Sequence, residues 1–147
     1  MKRWHISSLN LSNFIDIYAD ISNENFSIEK TKQNLSNPNI LFFIIYVDGL
    51  PVGYAKIEVN ATNENIASQN SCKLERIFIL SDFLHLKMGH QLLSFVEKHT
   101  KTLQLDTMWL TVYIKNTRAI KFYERNGFNN AGDVTFVVNG KGYENIV

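Results

Sequence analysis

The sequence predicts an α/β domain in which helices flank a mixed, mostly antiparallel sheet with one parallel pair of strands in its middle. Three observations predict this fold. The segments Ile40–Val47, Asp48-Gly49 and Pro51–Val59 have the composition of a β-hairpin. A strand–helix–strand unit follows between Cys72 and Ile114, and a short capped helix then precedes a last pair of strands. Because crossovers through a helix join parallel strands, this unit supplies the parallel pair.

The N-terminal part is predicted to contain one strand and two helices. Trp4–Ser7 forms the strand. Ser12 caps the first helix, whose apolar residues recur at the spacing of one helical face: Phe14, Ile17, Tyr18 and Ile21. Ser27 caps a shorter helix that ends near Leu35, because Asn37-Pro38-Asn39 breaks it.

The hairpin is the clearest strand signal in the chain. Ile40–Val47 is a run of β-forming residues, and Asp48-Gly49 is a strong turn pair. Pro51 has no backbone N–H, so we expect it at the very start of the returning strand. The polar stretch Asn60–Ser71 is rich in Asn and Ser and is predicted to be a loop.

The C-terminal half alternates strands and helices. In order we predict a strand, a helix, a strand, a helix and two final strands around Asn139-Gly140: Cys72–Leu80, Gly89–Lys101, Leu105–Ile114, Asn116–Asn126, Phe128–Val138 and Tyr143–Val147. Leu92, Leu93 and Val96 share one face of the first of these helices. No linker, repeat or low-complexity tract interrupts the pattern, so we expect a single domain over residues 1–147.

The composition is that of an ordinary globular protein. The 147 residues are 45% hydrophobic and 20% charged with a net charge of +1, so neither nucleic acid nor an acidic membrane is an expected partner. The longest apolar run, Ile40–Val47, is far shorter than the ~20 residues of a spanning helix. A single cysteine, Cys72, and the lack of a signal-peptide pattern predict a cytoplasmic location. No histidine pair has metal-ligand spacing beside cysteines or carboxylates, so no metal is expected.

Two segments have features of a phosphate-binding enzyme. Asn116 begins a helix that ends at Asn126-Gly127, and Tyr123 lies two turns after the cap on nearly the same face. The segment Phe83–Gln91 joins a strand to a helix, and free N–H groups at a helix N-terminus bind phosphate. Within it, Gly89 would let a ligand approach the backbone and Lys87 adds a cation. Taken alone, this segment is better explained as an ordinary loop with a helix-starting glycine.

The chain resembles the GNAT superfamily of acyl-CoA-dependent N-acetyltransferases from Ile40 to Val138. The resemblance is strongest in Leu74–Ile79 with its following loop and helix, and in the Asn…Ala-Ile…Phe-Tyr…Gly-Phe pattern of Asn116–Phe128. The hairpin and the Leu-Glu-Arg-Ile strand are similar to the branch that includes bacterial polyamine acetyltransferases. The loop departs from the family pattern Gln/Arg-x-x-Gly-x-Gly/Ala, because Leu84 stands at the Gln/Arg position and Lys87 at the first glycine.

The resemblance implies that the central parallel strands splay apart and bind acetyl-CoA as co-substrate. Backbone groups of Ile77 and Ile79 would bond the pantetheine like an added strand, with Asn116 beside them. Backbone N–H groups of residues 85–90 would hold the pyrophosphate. The full set of implied cofactor-binding residues is Ile77, Phe78, Ile79, Leu84, His85, Lys87, Met88, Gly89, His90, Asn116 and Tyr123.

The resemblance also implies an acid–base mechanism in a ternary complex. Tyr123 would protonate the departing thiolate. An alkyl amine titrates near ~10 and must lose a proton before it attacks the thioester. Glu75, acting through water, is the candidate base, and Glu58 is a weaker rival. The alternative for Glu75 is a strand glutamate that pairs with Arg76 or Lys73 and has no catalytic role.

The predicted function is therefore N-acetylation of a primary amine on a small, polyamine-like molecule or a peptide. Two alternatives remain. The altered loop at Leu84 and Lys87 favours a non-catalytic sensor of acyl-CoA or a metabolite on the same fold, whereas Tyr123 favours the enzyme. The second alternative is a structural α/β domain without a nucleotide site. A homodimer is a further expectation, because dimers are common among similar proteins.

Overall fold

The computed structural model describes residues 4–8, 33, 36–138 and 141–147. We number the elements within these residues. The strands are β1 (Trp4–Ser8), β2 (Ile40–Val47), β3 (Leu50–Val59), β4 (Ser71–Ile79), β5 (Thr107–Trp109), β6 (Val112–Tyr113), β7 (Asp133–Val138) and β8 (Lys141–Ile146). The helices are a 3₁₀ helix (Ser81–Leu86), α1 (Met88–Thr102) and α2 (Thr117–Arg125). The helices predicted to begin at Ser12 and Ser27 lie outside the described residues, apart from Gln33.

The strands form two sheets joined through the β5–β6 segment. The first has the order β1-β2-β3-β4-β5, antiparallel except for the parallel pair β4–β5. The second has the order β6-β8-β7 and is antiparallel. The chain runs from β5 of the first sheet into β6 of the second. The parallel pair β4–β5 therefore lies between the antiparallel strands of the first sheet and those of the second. This confirms the predicted mixed sheet with its parallel pair in the middle.

The hairpin forms as predicted. Asp48 has φ +50° and Gly49 has φ +80°, and two consecutive positive φ values make the tight turn whose twist matches the flanking strands. Pro51 is the second residue of β3 and faces Tyr46. The register then skips Val52, because Gly53 faces Ile45. Pro51, which has no backbone N–H, therefore lies next to a bulge, where the loss of one hydrogen bond between the strands is tolerated.

The prediction of one strand over Leu105–Ile114 is wrong. The segment breaks after Trp109 into β5 and β6, which belong to different sheets. Trp109 faces Lys73 of β4 and its indole nitrogen donates to the Ala61 carbonyl at 2.9 Å, whereas Val112 pairs with Ile146 of β8. The two halves of the segment therefore follow different partners.

The predicted strand Phe128–Val138 begins later, at Asp133. The reason is the end of α2, where Gly127 has φ +91° and the N–H groups of Gly127 and Phe128 donate to the carbonyls of Glu124 and Tyr123. The backbone N–H of Phe128 thus bonds a carbonyl at the end of the helix, and so it is not available to pair with a neighbouring strand. The predicted turn at Asn139-Gly140 lies outside the described residues.

The core lies between the first sheet and α1. Leu92, Leu93 and Val96 are buried on one face of α1, as their spacing predicted. They pack against buried sheet residues that include Phe43, Ala55, Ile57, Cys72 and Leu74. Among the described residues, no helix is long and apolar enough to cross a membrane.

Candidate active site

The two parallel strands meet only at their beginnings. Ser71, Cys72 and Lys73 of β4 face Thr107, Met108 and Trp109 of β5, and the pairing ends there. Strand β4 continues to Ile79 with β3 on its other side. Within the described part of the chain, the edge of β4 from Leu74 onward therefore has no strand beside it. We refer to the space beside this unpaired edge of β4, which leads towards the start of α1, as the cleft.

Backbone donors of β4 point into this cleft. The N–H of Leu80 donates to the Val52 carbonyl at 2.8 Å, towards β3. Because successive N–H groups of a strand point to opposite sides, those of Ile77 and Ile79 point away from β3 and towards the open edge. An extended ligand could bond these groups as an added strand does. Phe78, between them, directs its ring towards Tyr54 at a centroid distance of 5.9 Å.

The cleft ends at the N-terminus of α1. The first helical hydrogen bond runs from the Gln91 N–H to the Lys87 carbonyl at 3.1 Å. Because the α-helical ladder starts with this bond, the N–H groups of Met88, Gly89 and His90 have no partner within α1. Free donors at a helix start and the positive end of the helix dipole are features that can bind an anion such as phosphate. Leu84, which is 42% exposed, and the exposed His85 precede this end in the 3₁₀ helix.

Lys87 adopts the backbone conformation that the glycine of the family pattern would favour. Its φ is +57° and its ψ is 28°, in the left-handed region. This conformation costs a non-glycine residue about 1–2 kcal/mol. The departure from the family pattern therefore leaves the path of the loop intact at an energetic cost. It also places an exposed ammonium-bearing side chain beside the free N–H groups of α1.

Gly89 lies where α1 packs tightly against α2. A Cβ atom built on Gly89 would lie 3.2 Å and 3.3 Å from two ring carbons of Phe122 and 3.9 Å from Ile79. The ring of Phe122 thus occupies the space that a side chain would take. Met88, its neighbour, is buried in the core at 5% exposure, so both residues can offer a ligand only their backbone.

The side chain of His90 contacts α2. Its Nδ1 lies 2.6 Å from Oδ1 of Asn126, the residue that ends α2. The Nδ2 of Asn126 in turn donates to the Phe122 carbonyl at 2.8 Å. His90 was predicted as a cofactor-binding residue, and its backbone N–H keeps that prediction open. The partnership with Asn126 could not be predicted, because the two residues are 36 positions apart.

Asn116 caps α2 as predicted. Its Oδ1 accepts from the Ala119 N–H at 3.2 Å, which satisfies one of the free donors at the start of the helix. The Nδ2 group of this exposed residue has no hydrogen-bond partner in the part of the chain that the structure describes. It is therefore available to a ligand carbonyl. This cap lies directly after β6, on the side of the cleft opposite β4.

Tyr123 is packed between two aromatic rings. Phe122 and Phe128 make edge-to-face contacts with it at centroid distances of 5.4 Å and 5.7 Å. Burial raises the pKa of the Tyr123 phenol above its ordinary value. Its hydroxyl donates to no acceptor among residues 4–8, 36–138 and 141–147. A protonated phenol with an uncommitted O–H is suited to act as an acid.

The two candidate bases lie on neighbouring strands. Glu75 is skipped in the register of β4 against β3, because Arg76 faces Lys56 and Leu74 faces Ile57. Such a bulge changes the direction of a side chain, and bulges are common beside active sites. Glu75 lies 3.2 Å from the Lys73 ammonium group, as the structural alternative predicted. Glu58 is partly buried in β3, opposite Lys73.

A cavity of about 420 Å³ adjoins α2. It runs between the C-terminal half of α1, β5 and the segment after α2, and Tyr123 contributes to its wall. No other predicted cofactor-binding residue lines it, so Ile77 and Ile79 are not part of its wall.

Among the described residues, Cys72 has no basic partner that would activate it. Its side chain is fully buried, and burial raises the pKa of the thiol to about 11. A thiol that stays protonated at neutral pH is a poor nucleophile. The described residues contain no group of three or more His, Cys, Asp or Glu side chains that could hold a metal ion.

Comparisons with known proteins agree with this geometry. A family model described as the acetyltransferase (GNAT) family matches residues 7–128. An uncharacterized N-acetyltransferase from Lactobacillus delbrueckii subsp. lactis is 28% identical over 110 residues, which are 75% of this chain and 64% of that relative. The chain therefore spans just under two thirds of that relative.

Two further proteins relate the chain to named activities. A spermidine N(1)-acetyltransferase from Thermoplasma acidophilum is 25% identical over 130 residues, which are 86% of this chain and 74% of that relative. The solved structure of an aminoglycoside N-acetyltransferase in complex with CoA is 18% identical and has a TM-score of 0.82. The match covers 95% of this chain and 96% of that one, and it confirms the predicted fold.

Proposed function

Because the chain belongs to the GNAT family of acetyltransferases, we propose that it transfers the acetyl group of acetyl-CoA to a primary amine. The observation that carries the proposal is the open edge of β4, which leads to three free N–H groups at the start of α1. An extended arm that ends in a pyrophosphate matches both features. Acetyl-CoA has this shape, and the structural neighbour described above was solved with CoA.

The residues of the cleft divide the binding of acetyl-CoA among them. Backbone groups of Ile77 and Ile79 bond the pantetheine, with Phe78 between them, and Asn116 bonds it from the opposite side. The pyrophosphate lies on the N–H groups of Met88, Gly89 and His90. Lys87 adds a charge-assisted contact, and the exposed Leu84 and His85 border the same site.

Tyr123 acts as the acid when the thioester is cleaved. The amine nitrogen forms a bond to the acetyl carbon, the bond from that carbon to sulfur breaks, and the sulfur takes the phenol proton. The raised pKa of Tyr123 keeps the phenol protonated at neutral pH. A backbone N–H at Ile77 or Ile79 is positioned to polarise the thioester carbonyl.

Glu75 removes the proton of the incoming ammonium through water. Its bulge on β4 and its position beside the cleft support this role. The 3.2 Å contact with the Lys73 ammonium group restrains the position of the carboxylate. Glu58 is the alternative base, because it lies on the neighbouring strand opposite the same lysine.

The acceptor is a small polyamine-like molecule or a peptide amine. The relative named spermidine N(1)-acetyltransferase supports the polyamine class. The near-neutral net charge supports an enzyme that does not bind nucleic acid or acidic membranes, and the single cysteine supports a cytoplasmic location. We also propose that the protein forms a homodimer.

A turnover assay tests the proposal. Purified protein is given acetyl-CoA with spermidine, spermine, amino acids, aminoglycosides or peptides with a free N-terminus, and release of CoA thiol is followed. CoA binding is measured separately by calorimetry. Amine-dependent thiol release that is lost in Tyr123→Phe supports the enzyme. CoA binding without turnover across the panel favours the sensor alternative, and absence of CoA binding rejects both.

A further inference from the structure

Two contacts join the phosphate-binding end of α1 to the helix that carries Tyr123. The first is the packing of Phe122 over the bare α-carbon of Gly89. The second is the hydrogen bond between His90 and Asn126, with 2.6 Å between Nδ1 and Oδ1. On α1 these contacts come from adjacent residues, and on α2 they are one helical turn apart. Together they restrict both sliding and rotation of α2 along α1.

The direction of the His90–Asn126 hydrogen bond follows from its neighbours. The Nδ2 group of Asn126 donates to the Phe122 carbonyl at 2.8 Å, which leaves Oδ1 as the acceptor. The Nδ1 atom of His90 must therefore carry the proton. A neutral ring with this tautomer and a charged ring both donate from Nδ1, so the contact persists in either protonation state.

Tyr123 depends directly on these contacts. It follows Phe122 in the chain, and its carbonyl accepts from the backbone N–H groups of Asn126 and Phe128 at 3.0 Å. Any shift of α2 against α1 would move the phenol relative to the free N–H groups of α1. A displacement of about 1 Å at a catalytic group can lower a rate by 10²-fold.

We propose that His90 and Asn126 are positioning residues whose hydrogen bond fixes Tyr123 relative to the helix end that holds the pyrophosphate. The inference rests on the proposed function. It assigns the side chain of His90 to α2, while its backbone N–H remains available for phosphate. The competing role for His90 is a direct side-chain contact with phosphate through Nε2.

A double-mutant cycle separates the two roles. The variants are His90→Ala, Asn126→Ala and the double variant, each assayed for kcat and for the KM of acetyl-CoA with an accepted amine. If the pair positions Tyr123, each single variant lowers kcat about 10-fold or more and the KM changes less than about twofold. The double variant is then no worse than either single one, because both remove the same contact. Lys98→Ala, at an exposed position of α1, is the control.

Conservative variants at position 90 sharpen the test. In His90→Asn the amide nitrogen takes the place of Nδ1, whereas in His90→Gln it takes the place of Nε2. Positioning predicts that His90→Asn retains kcat and His90→Gln does not. A phosphate contact predicts the reverse, together with a raised KM for acetyl-CoA in His90→Ala but not in Asn126→Ala. That result would overturn the inference. So would a double variant whose loss of kcat equals the product of the losses in the two single variants.

A titration that needs no acceptor distinguishes failure of this inference from failure of the proposed function. The phenol of Tyr123 is titrated by ultraviolet difference absorbance, with the Tyr123→Phe form of each variant as its blank. His90→Ala and Asn126→Ala should both lower the pKa of Tyr123 towards its ordinary value. Burial raises this pKa, and the burial depends on the position of α2 against α1. A lower melting temperature with an unchanged titration would reduce the pair to a purely structural role.

Discussion

Lys73 and Trp109 are the last facing residues of β4 and β5 before the two strands separate. The Lys73 ammonium group lies 5.3 Å from the centre of the Trp109 ring. The indole nitrogen of Trp109 donates to the Ala61 carbonyl at 2.9 Å, in the loop between β3 and β4. The closed end of the cleft is thus anchored from outside the strands that form it.

Replacing the indole should weaken this anchor. Trp109→Phe removes the hydrogen bond to Ala61 and part of the buried ring, so we expect the free energy of unfolding to fall by about 1–3 kcal/mol. The Ala61 carbonyl keeps the Ser71 hydroxyl as a partner at 2.5 Å, which limits the loss. Urea denaturation measures it. Lys73→Met removes the charge of a partly buried side chain and its contact with Glu75, and it should cost less than about 1 kcal/mol; a larger cost there would mean that the lysine is the true anchor.

Tyr123→Phe should lower kcat by about 10²-fold or more, because the thiolate loses its proton donor. The KM for acetyl-CoA should hardly change, since the ring and its packing remain. Steady-state kinetics with the best amine of the panel measures both constants. An unchanged kcat would remove Tyr123 from the acid role.

The pH profile of kcat provides the control for that variant. The parent kcat should fall at alkaline pH only above the ordinary phenol pKa of about 10, because burial raises the pKa of Tyr123. The alkaline fall should be absent from Tyr123→Phe. A parent profile that falls near neutral pH would identify a different acid.

Glu75→Gln tests the assignment of the base. If Glu75 removes the amine proton, kcat at neutral pH should fall about 10²-fold or more while CoA affinity is kept. If Glu75 serves only as the partner of Lys73, Glu75→Gln and Lys73→Met should behave alike and retain nearly full kcat. Glu58→Gln is assayed beside them, and a large loss in that variant alone would transfer the role to Glu58.

Two substitutions at Lys87 separate its backbone from its charge. Lys87→Gly and Lys87→Ala both remove the ammonium group, but only glycine adopts a φ of +57° without strain. Lys87→Gly should therefore unfold with a free energy about 1 kcal/mol higher than that of Lys87→Ala. CoA affinity, measured by calorimetry, should fall about fivefold or more in both variants if the charge contacts phosphate. Equal stability of the two would contradict the strained loop.

The sequence could predict what depends on local chemistry. The Asp48-Gly49 turn, the Asn116 cap and the apolar face of α1 each follow from residues close together in the chain, and each is confirmed. The resemblance of Asn116–Phe128 to a family pattern added the expectation of a splayed cleft. The separation of β4 from β5 after Lys73 agrees with it.

What could not be predicted depends on partners distant in the chain. Leu105–Ile114 has the composition of one strand, and only the pairing of Val112 with β8 divides it. Gly89 could be interpreted as room for a ligand, because nothing near it in sequence indicates that Phe122 fills the same space. The contact of His90 with Asn126 is of the same kind.

A substitution at Gly89 distinguishes two interpretations of this residue. Its missing side chain leaves room either for the ring of Phe122 or for the pyrophosphate. Gly89→Ala places a methyl group 3.2–3.3 Å from the ring of Phe122, a residue of α2, and this ring must move by a few tenths of an ångström. We therefore expect kcat to fall more than CoA affinity does, and the free energy of unfolding to fall by about 1–3 kcal/mol. Adding Phe122→Leu should restore part of both losses, because the smaller side chain leaves room for the methyl group. If Gly89 instead clears a path for the pyrophosphate, the methyl group obstructs the ligand itself. CoA affinity would then fall in Gly89→Ala, and Phe122→Leu would not recover it.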